Sequence, residues 1–159
     1  MTTKAIPDGY HSATPYLIVK GAAAAIGFYK DAFGATELFR MADADGRVGH
    51  AEIRIGDSVI MLADEHPNMG YRSPSSLGGS SVGIMLYVEH VDAMFARAIE
   101  RGAKLQRAVA DQFYGDRSGT LEDPFGHVWT IATHVEDVSP EEIERRVAAM
   151  KSVAPAVTS

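Results

Sequence analysis

His50, Glu52 and Arg54 alternate with Ala51, Ile53 and Ile55. Side chains on a strand point to opposite faces in turn, so the polar groups share one face and the apolar groups the other. An imidazole beside a carboxylate is a minimal acid/base pair. Histidine changes charge near neutral pH, and a carboxylate can take or direct the proton. The same two residues could form half of a divalent-metal site, and they would equally suit a strand face turned to solvent or to a partner chain. Tyr114, Asp116 and Arg117 form a second group. A guanidinium there can grip a ligand carboxylate or phosphate through its two-pronged fork, or pair with Asp116 to brace a hairpin turn. The other histidines carry less. His127 follows a turn and reads as structural, His134 ends a strand as a marginal ligand candidate, and His11, His66 and His90 fall in loops or at a helix start. Gly78-Gly79-Ser80-Ser81 has the composition of a phosphate cradle, but its spacing fits neither common nucleotide-binding pattern and no lysine follows.

A repeated scaffold must position these groups. Arg47, Gly49, Glu52 and Gly56 recur as Arg117, Gly119, Glu122 and Gly126, at a constant offset of 70. A repeat of this length marks two copies of one supersecondary unit, neither able to bury its apolar face alone. The first copy reads as a strand over 12–19, a helix from Ala22 to Phe33 ended by Gly34, and strands over 36–42, 48–55 and 58–63. Ala22, Ile26, Tyr29 and Phe33 form one apolar helical stripe. The second copy reads as a strand over 82–88, a helix from Val91 to Arg101 ended by Gly102, and strands over 105–111, 117–122 and 127–134. Ser139-Pro140-Glu141-Glu142 is a capping box with proline at the first helical position. It opens a C-terminal helix with Ile143, Val147 and Met150 on its apolar face, and the final residues read as frayed.

The organisation is therefore a first βαβββ module over 10–65, a Gly-, Pro- and Ser-rich linker over 66–80, a second module over 81–135 and a helix over 139–151. At that length the linker can double as a lid or pocket wall. The fold class is α+β: two curved sheets, helices on the outer side, and a free side that curves into a cup. Alternation sends Pro15, Leu17, Val19, Ile84, Leu86, Val88, Trp129 and Ile131 to the core, with Phe28, Tyr29 and Phe33 of the first helix beside them. Thr14, Tyr16, Ile18, Gly83, Met85, Tyr87, Val128, Thr130 and Ala132 are left for the cup. That aromatic, thioether and aliphatic wall suits a planar or apolar small molecule oriented by one or two hydrogen bonds, or else contact with a partner chain.

Bulk properties exclude several classes of function. Hydrophobic content of 46% and charged content of 23% are those of an ordinary globular domain. A formal charge of −6 argues against nucleic acid or an anionic membrane as the main partner. With no cysteine, there is no disulfide, thiolate catalysis or Cys-based zinc site. The sequence shows no signal-peptide pattern and no uncharged run long enough to span a bilayer, so a cytoplasmic location is expected.

The order βαβββ–βαβββ is written in particular words: Thr14-Pro15-Tyr16-Leu17, Phe28-Tyr29-Lys30-Asp31-Ala32-Phe33-Gly34-Ala35, His50-Ala51-Glu52-Ile53-Arg54-Ile55-Gly56-Asp57-Ser58, Tyr114-Gly115-Asp116-Arg117-Ser118-Gly119, Asp123-Pro124-Phe125-Gly126-His127-Val128-Trp129 and Ala132-Thr133-His134-Val135-Glu136-Asp137. In this order they resemble the vicinal oxygen chelate superfamily, which includes glyoxalase I, extradiol dioxygenases and the bleomycin- and fosfomycin-resistance proteins. The likeness is greatest to its PhnB-like branch. Metal-dependent members place one ligand in each of four strands. Carried over, those positions are Thr14, Ile60 or Met61, Gly83 and Thr130, none of which suits a hard divalent ion.

The resemblance thus implies neither metal nor other cofactor, and neither glyoxalase I nor dioxygenase activity of the usual kind. It implies instead a homodimer that binds a small planar or apolar molecule, in a sequestration or resistance role. Thr14, Tyr16, Met61, Gly83, Met85, Tyr87, Tyr114, Arg117 and Thr130 would line the site. The alternative is a metal-independent or atypical-metal isomerase or lyase working through His50 and Glu52, with Tyr16 and Tyr87 in support.

Overall fold

A computed structural model describes residues 2–153. The first module contains β1 (Tyr16–Val19), α1 (Ala22–Phe33), β2 (Thr36–Ala42), β3 (Val48–Ile55) and β4 (Ser58–Asp64). The segment between modules holds a 3-10 turn (Pro67–Met69) and a one-turn helix, α2 (Pro74–Leu77). The second module contains β5 (Gly83–Tyr87), α3 (Val91–Glu100), β6 (Lys104–Asp111), β7 (Asp116–Glu122) and β8 (Val128–His134), and α4 (Pro140–Val153) closes the chain. The frayed end expected after α4 lies outside the described residues.

Two four-stranded mixed sheets result, in the orders β1-β4-β3-β2 and β5-β8-β7-β6. The first and last strands of each module pair in parallel, and the other pairs are antiparallel. This is an α+β fold, and the sheets do not close into a barrel. In both modules the last strand also fixes the start of the helix. Asp64 Oδ1 accepts the N–H groups of Gly21 and Ala22 at 2.8 Å each, and its Oδ2 accepts that of Val48. Thr133 Oγ1 accepts the Val91 N–H at 3.0 Å. Unpaired donors at a helix start are expensive to leave unsatisfied, so these contacts set where each helix begins.

A single core joins the modules. Tyr29 and Phe33 of α1 pack on Trp129 of β8, with ring centres 5.5 and 4.8 Å apart. The buried Asp123 carboxylate accepts the Tyr29 hydroxyl at 2.6 Å and the Trp129 indole N–H at 2.9 Å. It also accepts the N–H groups of Phe125 and His127, so a desolvated charge is fully partnered. Burial and this carboxylate together push the Tyr29 phenol well above its ordinary range. His127 Nε2 lies 3.0 Å from the Ile18 carbonyl and can only donate to it, tying β8 to β1 and fitting the structural role expected for that residue. Pro15 departs from expectation. It precedes β1 and is exposed instead of lying in the core, because a residue without an N–H is best placed where the ladder begins.

Candidate functional site

The strand registers assemble the cup faces row by row. Tyr16 lies beside Met61, Met61 beside Glu52, and Glu52 beside Phe39. Ile60 is buried in the core, which leaves Met61 as the cup residue of β4. In the second sheet Gly83 lies beside Val128, Met85 beside Thr130 and Tyr87 beside Ala132. Thr130 continues to Thr120, their hydroxyls 3.0 Å apart.

β1 and β5 face each other across a cavity of about 810 Å³, with no backbone ladder between them. Thr14, Tyr16 and Ile18 line one wall, and Gly83 and Met85 line the other. Arg72, Pro74, Leu77, Ser80 and Ser81 contribute from the segment between modules. That segment is anchored. Ser73 is fully buried, and its N–H and hydroxyl both bond Glu65 Oε1. Gly126 approaches Pro74 so closely that a Cβ there would stand 2.7 Å from the Pro74 Cβ. A smaller hollow of about 350 Å³ shares Tyr16 and Ile18 and adds Asp43, Arg47, Asp64 and Tyr71.

His50 and Glu52 do not line the large cavity, but Tyr16 connects them to it. The Tyr16 hydroxyl lies 2.8 Å from His50 Nδ1, and His50 Nε2 lies 3.8 Å from Glu52 Oε1. Tyr10 donates to that same carboxylate oxygen at 2.7 Å. Burial raises the Tyr16 phenol above its ordinary range, and the bond to Glu52 does the same to Tyr10. Both phenols are therefore donors at neutral pH. A Tyr16 hydroxyl donating to Nδ1 leaves the neutral ring's hydrogen on Nε2, facing Glu52. The acid/base pair thus comes with two tyrosines, of which Tyr10 carried no sequence signal.

The second expected group divides. On β7 Arg117 shares the helix-side face with Gly119 and Leu121, because residues two apart point the same way. Its fork grips both carboxylate oxygens of Asp92, at 2.8 Å each, and reaches Asp111 at 3.2 Å. Arg117 therefore does not face the cup, and it does not pair with Asp116. Asp116 is buried, accepting the Tyr87 hydroxyl at 2.8 Å and lying 2.8 Å from His134 Nδ1. His134 also meets Asp137 at 2.8 Å, and the bonds to the two carboxylates hold its pKa above the ordinary value. Tyr114 packs edge-on against Phe113. Tyr87 stands on the cup face, yet it and Tyr114, Met61 and Thr130 lie outside the lining of the large cavity.

Thr14, Met61, Gly83 and Thr130 offer two hydroxyls, a thioether and a hydrogen atom, which do not fit a divalent ion. Among the described residues no group of three or more His, Cys, Asp or Glu is placed to hold a metal. Among them, too, no helix is long and apolar enough to cross a membrane.

Residues 10–131 match the family model described as Glyoxalase/Bleomycin resistance protein/Dioxygenase superfamily. The chain belongs to this superfamily. An uncharacterized protein of Mycobacterium tuberculosis is 46% identical over 142 residues, covering 87% of this chain and 82% of its own. The crystal structure of an Arabidopsis thaliana gene product superposes with a TM-score of 0.63 at 27% identity, covering 77% of this chain and 98% of its own. A PhnB protein from Bacillus cereus, described as a putative 3-demethylubiquinone-9 3-methyltransferase, shares the superfamily fold. Its TM-score is 0.60 at 17% identity, over 77% of this chain and 99% of its own.

Proposed function

We propose that this superfamily member binds a small planar or apolar molecule at the seam between its sheets, without a resident metal, to sequester it or confer resistance to it. One observation carries the reading: the large cavity between β1 and β5 is walled by Tyr16, Ile18, Leu77 and Met85. The family's four ligand positions, meanwhile, hold no imidazole or carboxylate. A concave, mainly apolar space with a few hydroxyls at its rim holds a ligand by excluded water and orients it by one or two hydrogen bonds. Gly83 contributes floor space, since a Cβ built on it would meet only the Val128 carbonyl at 3.9 Å. The test is a thermal-shift screen of planar compounds, because a ligand that binds only the folded state raises the melting midpoint.

A second reading is favoured by the Tyr16–His50–Glu52–Tyr10 constellation, in which an imidazole meets a phenol at one nitrogen and a carboxylate at the other. That set could move a proton on a bound ligand, as an isomerase or lyase requires. Turnover of a bound compound that is lost in Glu52→Gln, with binding retained, would select this reading over sequestration.

A further inference from the structure

The large cavity has one charged group that no other group among the described residues neutralises. The chain carries 21 acidic residues and a net charge of −6, yet no Asp or Glu lines this cavity. Arg72 does line it, and among the described residues its guanidinium makes no side-chain hydrogen bond or ion pair. The other basic side chain on the wall, His127, is committed to the Ile18 carbonyl. Other arginines, such as Arg40, Arg117 and Arg146, are held by carboxylates; among the described residues Arg72 instead stands free on a cavity wall.

Arg72 also has a fixed backbone. Tyr71 on one side bridges to His66, and Ser73 on the other is fully buried on Glu65. The fixed backbone keeps the Arg72 side chain within reach of the cavity, and its planar fork fits an oxyanion with two parallel bonds. Thr14 and Ser81 add hydroxyl donors to the same cavity.

We propose that the cup selects oxyanions with a flat apolar body, the body between Tyr16 and Met85 and the carboxylate or phosphate on Arg72. This deepens the binding reading above and rests on it. The two oxyanion classes share the same recognition chemistry, and the test separates them.

Isothermal titration of the full chain uses three probes of matched ring: naphthoate, naphthyl phosphate and the neutral naphthamide. The expected result is that at least one anion binds on the order of tenfold tighter than naphthamide, and that added salt weakens the anion but not the amide. The tighter anion names the class. Arg72→Gln should weaken the anions to the level of naphthamide and so abolish the preference, and Arg72→Lys should restore part of it. Arg72 is exposed, so both variants should melt as the parent does. Equal binding of all three probes, or an anion preference that survives Arg72→Gln, overturns the inference and leaves the cup reading standing. Failure of every probe to bind the parent chain overturns this inference, while the thermal-shift screen above decides the cup reading separately.

Discussion

At the scale of single residues, the two faces of one strand make opposite demands. Trp129 and Thr130 are neighbours on β8, yet the indole is fully buried against Tyr29 and Phe33 while Thr130 turns toward the cup. Trp129→Ala should cost about 3–5 kcal/mol, from the cavity it leaves in the core. It also strips Asp123 of one donor, which puts the cost toward the upper end. Urea unfolding of the variant checks this, and a loss below about 1 kcal/mol would mean that the faces are assigned wrongly. Tyr16→Phe should behave differently. It removes the hydroxyl that meets His50 but keeps the ring, so stability should hold while any affinity owed to that hydroxyl falls by about 0.5–1.5 kcal/mol. Titration of a cup ligand against this variant measures the difference.

At the scale of elements, much was legible in the sequence because the signals were local. The stripe of α1, the Gly34 stop and the strands β2 and β3 depend on neighbours in the chain, and Ala22–Phe33, Thr36–Ala42 and Val48–Ile55 form as expected. What the sequence hid was long-range. The Asp64 and Thr133 caps reach their helices across more than forty residues. Arg117 escaped correct placement because its partner Asp92 lies in the helix opposite, and no local pattern announces such a pair. The sequence marked the linker only by composition, because Ser73 gains its order from Glu65 and Pro74 packs on Gly126, neither a helical or strand period.

That linker anchor makes an element-scale prediction. The Ser73 hydroxyl, then Ser76 and the Ser73 N–H, hold the Glu65 carboxyl down from 4.5 to about 2. Its stabilising effect is thus complete above the unfolded value and is lost as pH falls from 4.5 toward 2. Amide exchange across residues 66–82, read at stepped pH and corrected for intrinsic rates, should accelerate selectively over that window. Glu65→Gln should show fast exchange there already at neutral pH. Protection that is flat with pH in the parent chain would mean that this contact does not hold the segment.

At the scale of the molecule, the two sheets end in open edges at β2 and β6, and β2 exposes Leu38, Phe39 and Met41. Unpaired edges carrying apolar side chains call for cover. A two-fold dimer is the expected state, checked by light scattering at micromolar concentration. A monomer unchanged by ligand would contradict it. The seam between β1 and β5 is proposed to bind a small molecule without metal. Its most direct test is a thermal-shift comparison of chelator-treated parent chain and Gly83→Leu, using a planar ligand found by screening at about a hundred times its dissociation constant. The parent should gain about 2.7 kcal/mol of stability, seen as a raised melting midpoint. Gly83→Leu, with its side chain filling the cup floor, should fold as well without ligand and show no rise with it. An equal rise in both proteins, or a rise that vanishes with the chelator and returns with added divalent metal, would contradict metal-free binding at this seam.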